Sequence, residues 1–310
     1  MEFNHVSVLL DECIDGLNIR PDGIYCDGTA GGAGHSKEIA KRLDAGLGGR
    51  LVSIDRDPEA VAVASERLKG LPAQVIQGNY SEVDEILERL EISGLDGMLL
   101  DLGVSSYQLD NGDRGFSYHT DAPLDMRMSG EGLSARDVVN GYDYQALAKI
   151  IFEYGEEKFA RSIAQKIVKA RDEKPIETTL ELAEIIKSGV PQKVRRDKNP
   201  CKKTFQAIRI EVNSELEHLS VALDKAFDAL NVGGRLCIIS FHSLEDRLVK
   251  QRFQSFCKGC ICPPDFPQCI CGQTPRGRLV NRKPIEASVQ ELAVNKRSHS
   301  AKLRIIEKIR

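Results

Sequence analysis

The chain has 310 residues, 41% hydrophobic and 29% charged, enough apolar material to bury one large core or two modest ones and too much for a disordered or fibrous protein. No uncharged apolar run reaches the roughly 20 residues that a membrane-crossing helix needs, and Met1-Glu2-Phe3-Asn4-His5 lacks the basic and apolar regions of an export signal, so a cytoplasmic protein is expected. The net charge of -3 is unevenly spread: residues 193–209 carry +6, residues 275–310 carry +7 and the remainder carries -16, a pattern that suits either a polyanion-binding surface or two solvated faces.

In chain order, the first hundred residues alternate short apolar runs with helical patterns. Residues 24–27, 51–55, 73–76 and 97–101 read as strands. Residues 36–43, 58–68 and 81–90 read as helices, the second opened by Pro58 and the third by an approximate capping box of Ser81 and Asp84. Strand–helix alternation implies a mostly parallel sheet covered on both faces. The alternation then stops. A Gly/Asp-rich loop over residues 109–132 leads into helical periodicity at 144–151, 157–171 and 180–187, followed by a long helix expected over 211–230. Strand patterns return at 234–240 and 301–307. The expected organisation is a discontinuous α/β core, residues 1–105 and 210–310, opened by a helical insert of residues 106–209.

The strongest local signal is Asp27-Gly28-Thr29-Ala30-Gly31-Gly32-Ala33-Gly34-His35, between a strand and a helix. Glycines there permit a tight turn and close backbone approach to a ligand. The dinucleotide fingerprint G-x-G-x-x-G fails, because Lys37 stands where the third glycine after Gly32-Ala33-Gly34 should fall. Asp55 ends the second strand, where a carboxylate can accept both hydroxyls of a ribose. An adenosine ligand without a pyrophosphate, such as S-adenosylmethionine, therefore fits better than NAD. Asp101 ends the fourth strand, so three acids, Asp27, Asp55 and Asp101, fall at carboxyl ends of strands, where open α/β sheets bind ligands. Each alone could instead be a helix N-cap.

The stretches His-Val-Ser-Val-Leu-Leu-Asp (5–11), Asp27 to His35, Ile54-Asp55-Arg56-Asp57-Pro58, Leu100-Asp101-Leu102-Gly103-Val104-Ser105-Ser106, Arg114-Gly115-Phe116-Ser117, Pro123-Leu124-Asp125-Met126-Arg127-Met128, Tyr154-Gly155-Glu156-Glu157, Thr204-Phe205-Gln206-Ala207-Ile208-Arg209 and Ser240-Phe241-His242-Ser243-Leu244-Glu245-Asp246-Arg247 together resemble the bacterial 16S ribosomal RNA (cytosine-N4) methyltransferases, the MraW/RsmH family. The resemblance spans nearly the whole chain, in order. It implies a class I Rossmann-like core with a helical substrate-recognition insert, S-adenosylmethionine as methyl donor, and one cytosine in the decoding region of 16S rRNA, in the small ribosomal subunit, as target. Carried over by position, it places cofactor contacts on Ala33, Gly34, His35, Asp55, Tyr80, Asp101 and Gln108.

The Asp/Asn-Pro-Pro-Tyr turn that many amino-methyltransferases use is here Asp101-Leu102-Gly103-Val104, which leaves Asp101 or a backbone carbonyl to hold the target amine. His242 is a second catalytic candidate, with a hydrogen-bonded turn residue as the alternative. Asp125 and Arg127 could shape the pocket, grip RNA or simply pair with each other. Cys257-x2-Cys260-x-Cys262-x6-Cys269-x-Cys271 offers thiolates for a zinc site, most simply Cys260, Cys262, Cys269 and Cys271, against ordinary loop thiols. Competing functional readings are a methyltransferase for another polyanion or a small amine, and a non-catalytic rRNA-binding assembly factor. The sequence leaves open whether the protein is a monomer or a homodimer.

Overall fold

The computed structural model describes residues 7–104, 112–197, 199–259, 262 and 271–310. In chain order it runs α1 (Leu10–Leu17), β1 (Ile24–Asp27), α2 (Gly34–Ala40), β2 (Arg50–Asp55), α3 (Pro58–Arg67), β3 (Ala73–Gln77), α4 (Val83–Arg89) and β4 (Leu95–Asp101). The insert follows with α5 (Ala135–Gly141), α6 (Tyr144–Glu153), α7 (Ala160–Glu173), α8 (Thr179–Ser188), α9 (Gln192–Asp197) and α10 (Cys201–Asn213). The chain then continues through α11 (Glu215–Ala229), β5 (Leu230–Ser240), α12 (Ser243–Phe256), β6 (Gly277–Leu279), α13 (Val289–Val294) and β7 (Lys302–Lys308). It separates into two compact units, Met1–Gly103 with Glu217–Arg310, and Val104–Leu216. No helix among the described residues is long and apolar enough to cross a membrane.

The first unit is a seven-stranded sheet in the order β3-β2-β1-β4-β5-β7-β6. β1 to β5 run parallel, and β7 lies antiparallel to both β5 and β6. This is the mostly parallel, doubly wound, Rossmann-like class that the strand–helix alternation predicts. Side chains of successive strand residues point to opposite faces, and here both faces are dry. Met98, Leu100, Leu236, Ile238 and Ile306 join one core cluster with Val83, Ile86, Phe227 and Phe253. Leu99, Cys237, Ile239 and Ile305 join the other with Leu9, Cys13, Leu17 and Ile39. Strand order reverses direction about β1 and β4, and the crevice outside their carboxyl ends is where such sheets bind ligands.

The second unit is all helical in its regular elements and has its own core, built from Val138, Leu147, Ile151, Ile163, Ile167, Leu182, Ile186, Phe205 and Ile208. Two of the sequence motifs meet there: Gln206 Nε2 donates to the Tyr154 carbonyl at 3.0 Å and Lys203 Nζ to the Glu156 carbonyl at 2.6 Å. The long Gly/Asp-rich loop is held from inside. Asn213, 6% exposed, donates through Nδ2 to the Met126 and Arg209 carbonyls at 2.8 and 2.9 Å and accepts from the Met128 amide at 2.9 Å.

Two local readings are corrected. The single helix expected over 211–230 is two, because Ser214 adopts the left-handed conformation (φ 48°, ψ 38°) between α10 and α11. Arg209 and Glu215 brace that break with a two-pronged ion pair at 2.8 and 3.0 Å. The capping box before α4 belongs to Asn79 and Glu82 rather than Ser81 and Asp84, since extended Asn79 (φ -99°) supplies the cap of a 3-10 turn at Tyr80–Glu82.

Candidate active site

Asp27, Asp55 and Asp101 occupy the carboxyl ends of β1, β2 and β4, but their surroundings give them different tasks. Asp27 is 1% exposed and satisfied within the fold. One oxygen accepts from the Thr29 amide at 3.1 Å, the other from Ser36 Oγ at 2.5 Å, which in turn lies 2.7 Å from Ser53 Oγ. It therefore welds β1, β2 and α2 together beneath the glycine loop.

Asp55 shapes the loop itself. Its Oδ2 accepts from the Gly31 amide at 2.7 Å and its Oδ1 from the Asp57 amide at 2.9 Å. Gly31 sits at φ +48°, a conformation glycine adopts at no steric cost. Arg67 Nη1 adds a bond to the Gly32 carbonyl at 2.5 Å, and the Ala30 amide donates to the Ile54 carbonyl at 2.9 Å, so the loop is pinned from β2 and α3. Ala33 turns left-handed (φ 59°) and places Gly34 and His35 in the first turn of α2. At Gly28 a methyl group would come within 2.5 Å of Leu100 Cδ2 and 3.0 Å of Tyr80 Cβ. Only glycine lets the β1 turn pass between β4 and Tyr80. Tyr80 is half-buried in the turn after β3 and packs against the core.

Burial pushes the Asp55 carboxyl up to about 6, against the lowering effect of the two amides it accepts from. A carboxylate has about four acceptor sites, so these amide bonds leave capacity for hydroxyl donors, and only the ionised form accepts through both oxygens. The Asp55 contribution to affinity for a ribose-bearing ligand is therefore expected to fall as pH drops through 6, approaching tenfold per pH unit below it, and equilibrium dialysis of labelled ligand between pH 5 and 7.5, wild type against Asp55→Asn, checks this. Because the folded-state value lies above the ordinary one, the stability linkage has the opposite sign: the contribution of Asp55 is greatest in acid and is lost as pH rises toward 6.

Asp101 donates its amide to Thr29 Oγ1 at 2.7 Å. Its side chain is different from the other two acids: Oδ1 is buried with no hydrogen-bond partner among the described residues, and Oδ2 stands 3.7 Å from His35 Nδ1. Burial, with the Asp27 and Glu245 carboxylates, raises its pKa well above the ordinary range.

His242 is the N-cap of α12. Its Nδ1 accepts from the Glu245 amide at 3.4 Å, and its Nε2 lies 3.1 Å from Glu245 Oε1. Glu245, 2% exposed, also accepts from the amides of Phe241 and His242 at 2.8 and 3.3 Å. Sequence reasoning missed Glu245, although its place three residues after a helix N-cap is a readable capping signal. Gln108, Cys260 and Cys269 lie outside the described residues. Cys257, Cys262 and Cys271 are half-buried.

Asp125 and Arg127 pair with each other through bonds at 2.6, 3.0 and 3.1 Å, and Arg114 Nη2 donates to the carbonyls of Arg127 and Met128. The C-terminal basic segment is partly neutralised within the core. Arg276 pairs with Asp228, Arg278 with Glu307, and Arg304 with Asp246. Arg282, Lys283 and Lys296 remain exposed there, as do Lys193, Arg195, Lys202 and Lys203 in the insert.

The model of the MraW methylase family matches residues 2–309. The chain is 55% identical over 313 residues to the ribosomal RNA small subunit methyltransferase H of Lachnospira eligens, covering 100% of this chain and 99% of that protein. It is 54% identical over 311 residues to the protein of the same name from Clostridium botulinum, with both chains covered completely. A ribosomal RNA small subunit methyltransferase H 2 from Agathobacter rectalis is 55% identical, with 99% of each chain covered. Matched from end to end, with its glycine loop and strand-end acids assembled at one sheet edge, the chain belongs to the MraW methylase family.

Proposed function

We propose that this protein methylates the exocyclic N4 of a cytosine in 16S rRNA of the small ribosomal subunit, with S-adenosylmethionine as donor. The observation that carries the reading is the pairing of Asp55, ionisable and tied to the glycine loop, with Asp101, whose buried Oδ1 lacks a partner among the described residues. An orphaned buried acceptor is costly unless a ligand donor completes it, so the residues fit a cofactor that carries both ribose hydroxyls and an ammonium group. The full-length likeness to small-subunit rRNA methyltransferases supports the substrate.

Bound at this edge, S-adenosylmethionine would supply an electrophilic methyl group on a sulfonium. Asp55 would hold the ribose, Tyr80 would flank the adenine, the backbone of Ala33, Gly34 and His35 would line the cofactor, and Asp101 would accept from an N–H group. The cytosine amine is conjugated with its ring and poorly nucleophilic, so most of the catalytic gain comes from alignment and from accepting hydrogen bonds of the amine. Asp101 is also the acid candidate for that second task. His242 serves as a positioning residue: it caps α12 and fixes Glu245, whose charge acts on Asp101. The target base must be unstacked to expose N4, and the exposed cations of the insert and of the segment before β7 are suited to hold rRNA phosphates while this happens.

The test is tritium transfer from labelled S-adenosylmethionine to small subunits from cells lacking the protein, followed by nucleoside analysis. Label in N4-methylcytidine is expected. Label in another nucleoside, or none with cofactor bound, would reassign the acceptor.

A further inference from the structure

His35 is 6% exposed, and its Nε2 lies 3.0 Å from the carbonyl oxygen of Val8. A carbonyl only accepts, so Nε2 carries the ring hydrogen, and in the neutral ring Nδ1 is a bare lone pair. That lone pair faces Asp101 Oδ2 at 3.7 Å. With Asp101 ionised, two acceptors would confront each other, the His35 ring buried and the Asp101 side chain 24% exposed, with no proton between them. The other groups acting on the two side chains make such a state worse. Asp27 on β1 and Glu245 on α12 act on Asp101 as further negative charges, Asp27 also acts on His35, and the Cys13 thiol on α1 lies within the same electrostatic neighbourhood. None of these brings a positive charge to the pair.

We infer that His35 and Asp101 hold one proton between them in the ligand-free protein, and that the cationic cofactor, by placing a donor against Asp101 Oδ1, expels it. This rests on the cofactor reading above. Burial favours the uncharged form of each partner, raising Asp101 and lowering His35, so the pair keeps a single proton and loses it as one event. His35 is then a positioning residue that sets the charge state of Asp101 and ties cofactor binding to proton release.

The experiment is titration calorimetry of the full-length protein with S-adenosylmethionine at pH 7, in three buffers of different ionisation enthalpy. This pH is above the titration of Asp55 and below the range of an ordinary α-amino group. The dependence of heat on buffer enthalpy gives the protons released, and the difference between wild type and Asp101→Asn is expected to be about one proton per cofactor. Equal counts in the two proteins would overturn the inference. A second arm needs no cofactor: nitrogen NMR of histidine-labelled ligand-free protein is expected to show His35 protonated at Nε2, with Nδ1 as acceptor. An Nδ1–H tautomer, or free titration at the ordinary histidine value, would also overturn it. Absence of any binding heat would instead sink the cofactor reading, with the NMR arm still deciding the pair.

Discussion

Replacing Asp55 by alanine is expected to weaken S-adenosylmethionine binding by roughly a hundredfold or more, from the loss of two charge-assisted hydrogen bonds at about 1.5–3 kcal/mol each. A second loss lies in the protein itself. The carboxylate bonds to the amides of Gly31 and Asp57, so its removal also frees the tip of the glycine loop, which then has to be ordered when the ligand binds. Asp55→Asn retains one acceptor oxygen and the side-chain shape, and a smaller loss of about tenfold is expected. It also removes the titration near pH 6, so below pH 6 the affinity of the Asn variant should depend on pH less steeply than that of wild type, by up to tenfold per pH unit. Equilibrium dialysis measures all three proteins. An alanine variant within threefold of wild type would remove Asp55 from the cofactor site.

The largest stability effect is expected at Asn213, whose replacement by alanine should cost the insert about 2–4 kcal/mol in urea unfolding. The side chain closes three hydrogen bonds in a buried place, to Met126, Met128 and Arg209. Truncation leaves those backbone groups without these partners, and the penalty for a buried unsatisfied group exceeds the net worth of an ordinary hydrogen bond. Met126 adds to it, because it is held at φ +59°, a left-handed conformation unfavourable for a side-chain-bearing residue. A loss below about 0.5 kcal/mol, the size of an inconsequential surface change, would show that the loop is anchored elsewhere.

The core was legible because its strands are apolar runs of the right length ending in acids, and because Pro58 and Asp57 mark a helix start in an unambiguous way. Elements without such signals were missed. The three residues of β6 owe their conformation to pairing with β7, and α12 opens on a histidine cap, an unusual residue in that place, although Val249, Phe253 and Phe256 keep helical spacing. The break at Ser214 depends on the Arg209–Glu215 pair and on Asn213 gripping a loop more than 80 residues earlier, which no local window contains. In the site, residue types and positions along the strands were readable, while the bond from Gly31 to Asp55 and the approach of His35 to Asp101 are products of strand order. The C-terminal basic segment shows the converse limit: its excess charge is visible in sequence, but its partners Asp228, Asp246 and Glu307 emerge only when the sheet is assembled.

The pairing of β4 with β5 has a kinetic consequence. These neighbouring strands are joined through the entire Val104–Leu216 unit, so the register that sets Met98 beside Leu236 closes a very long loop. The entropy of closing a flexible loop rises only logarithmically with its length, but a chain that must search for a distant parallel partner folds slowly and exposes strand edges meanwhile. The insert carries its own apolar core and is rich in local helical contacts, the kind that form early. Its prior collapse would shorten the effective loop before the sheet closes, making the insert an internal staging element for assembly of the catalytic sheet.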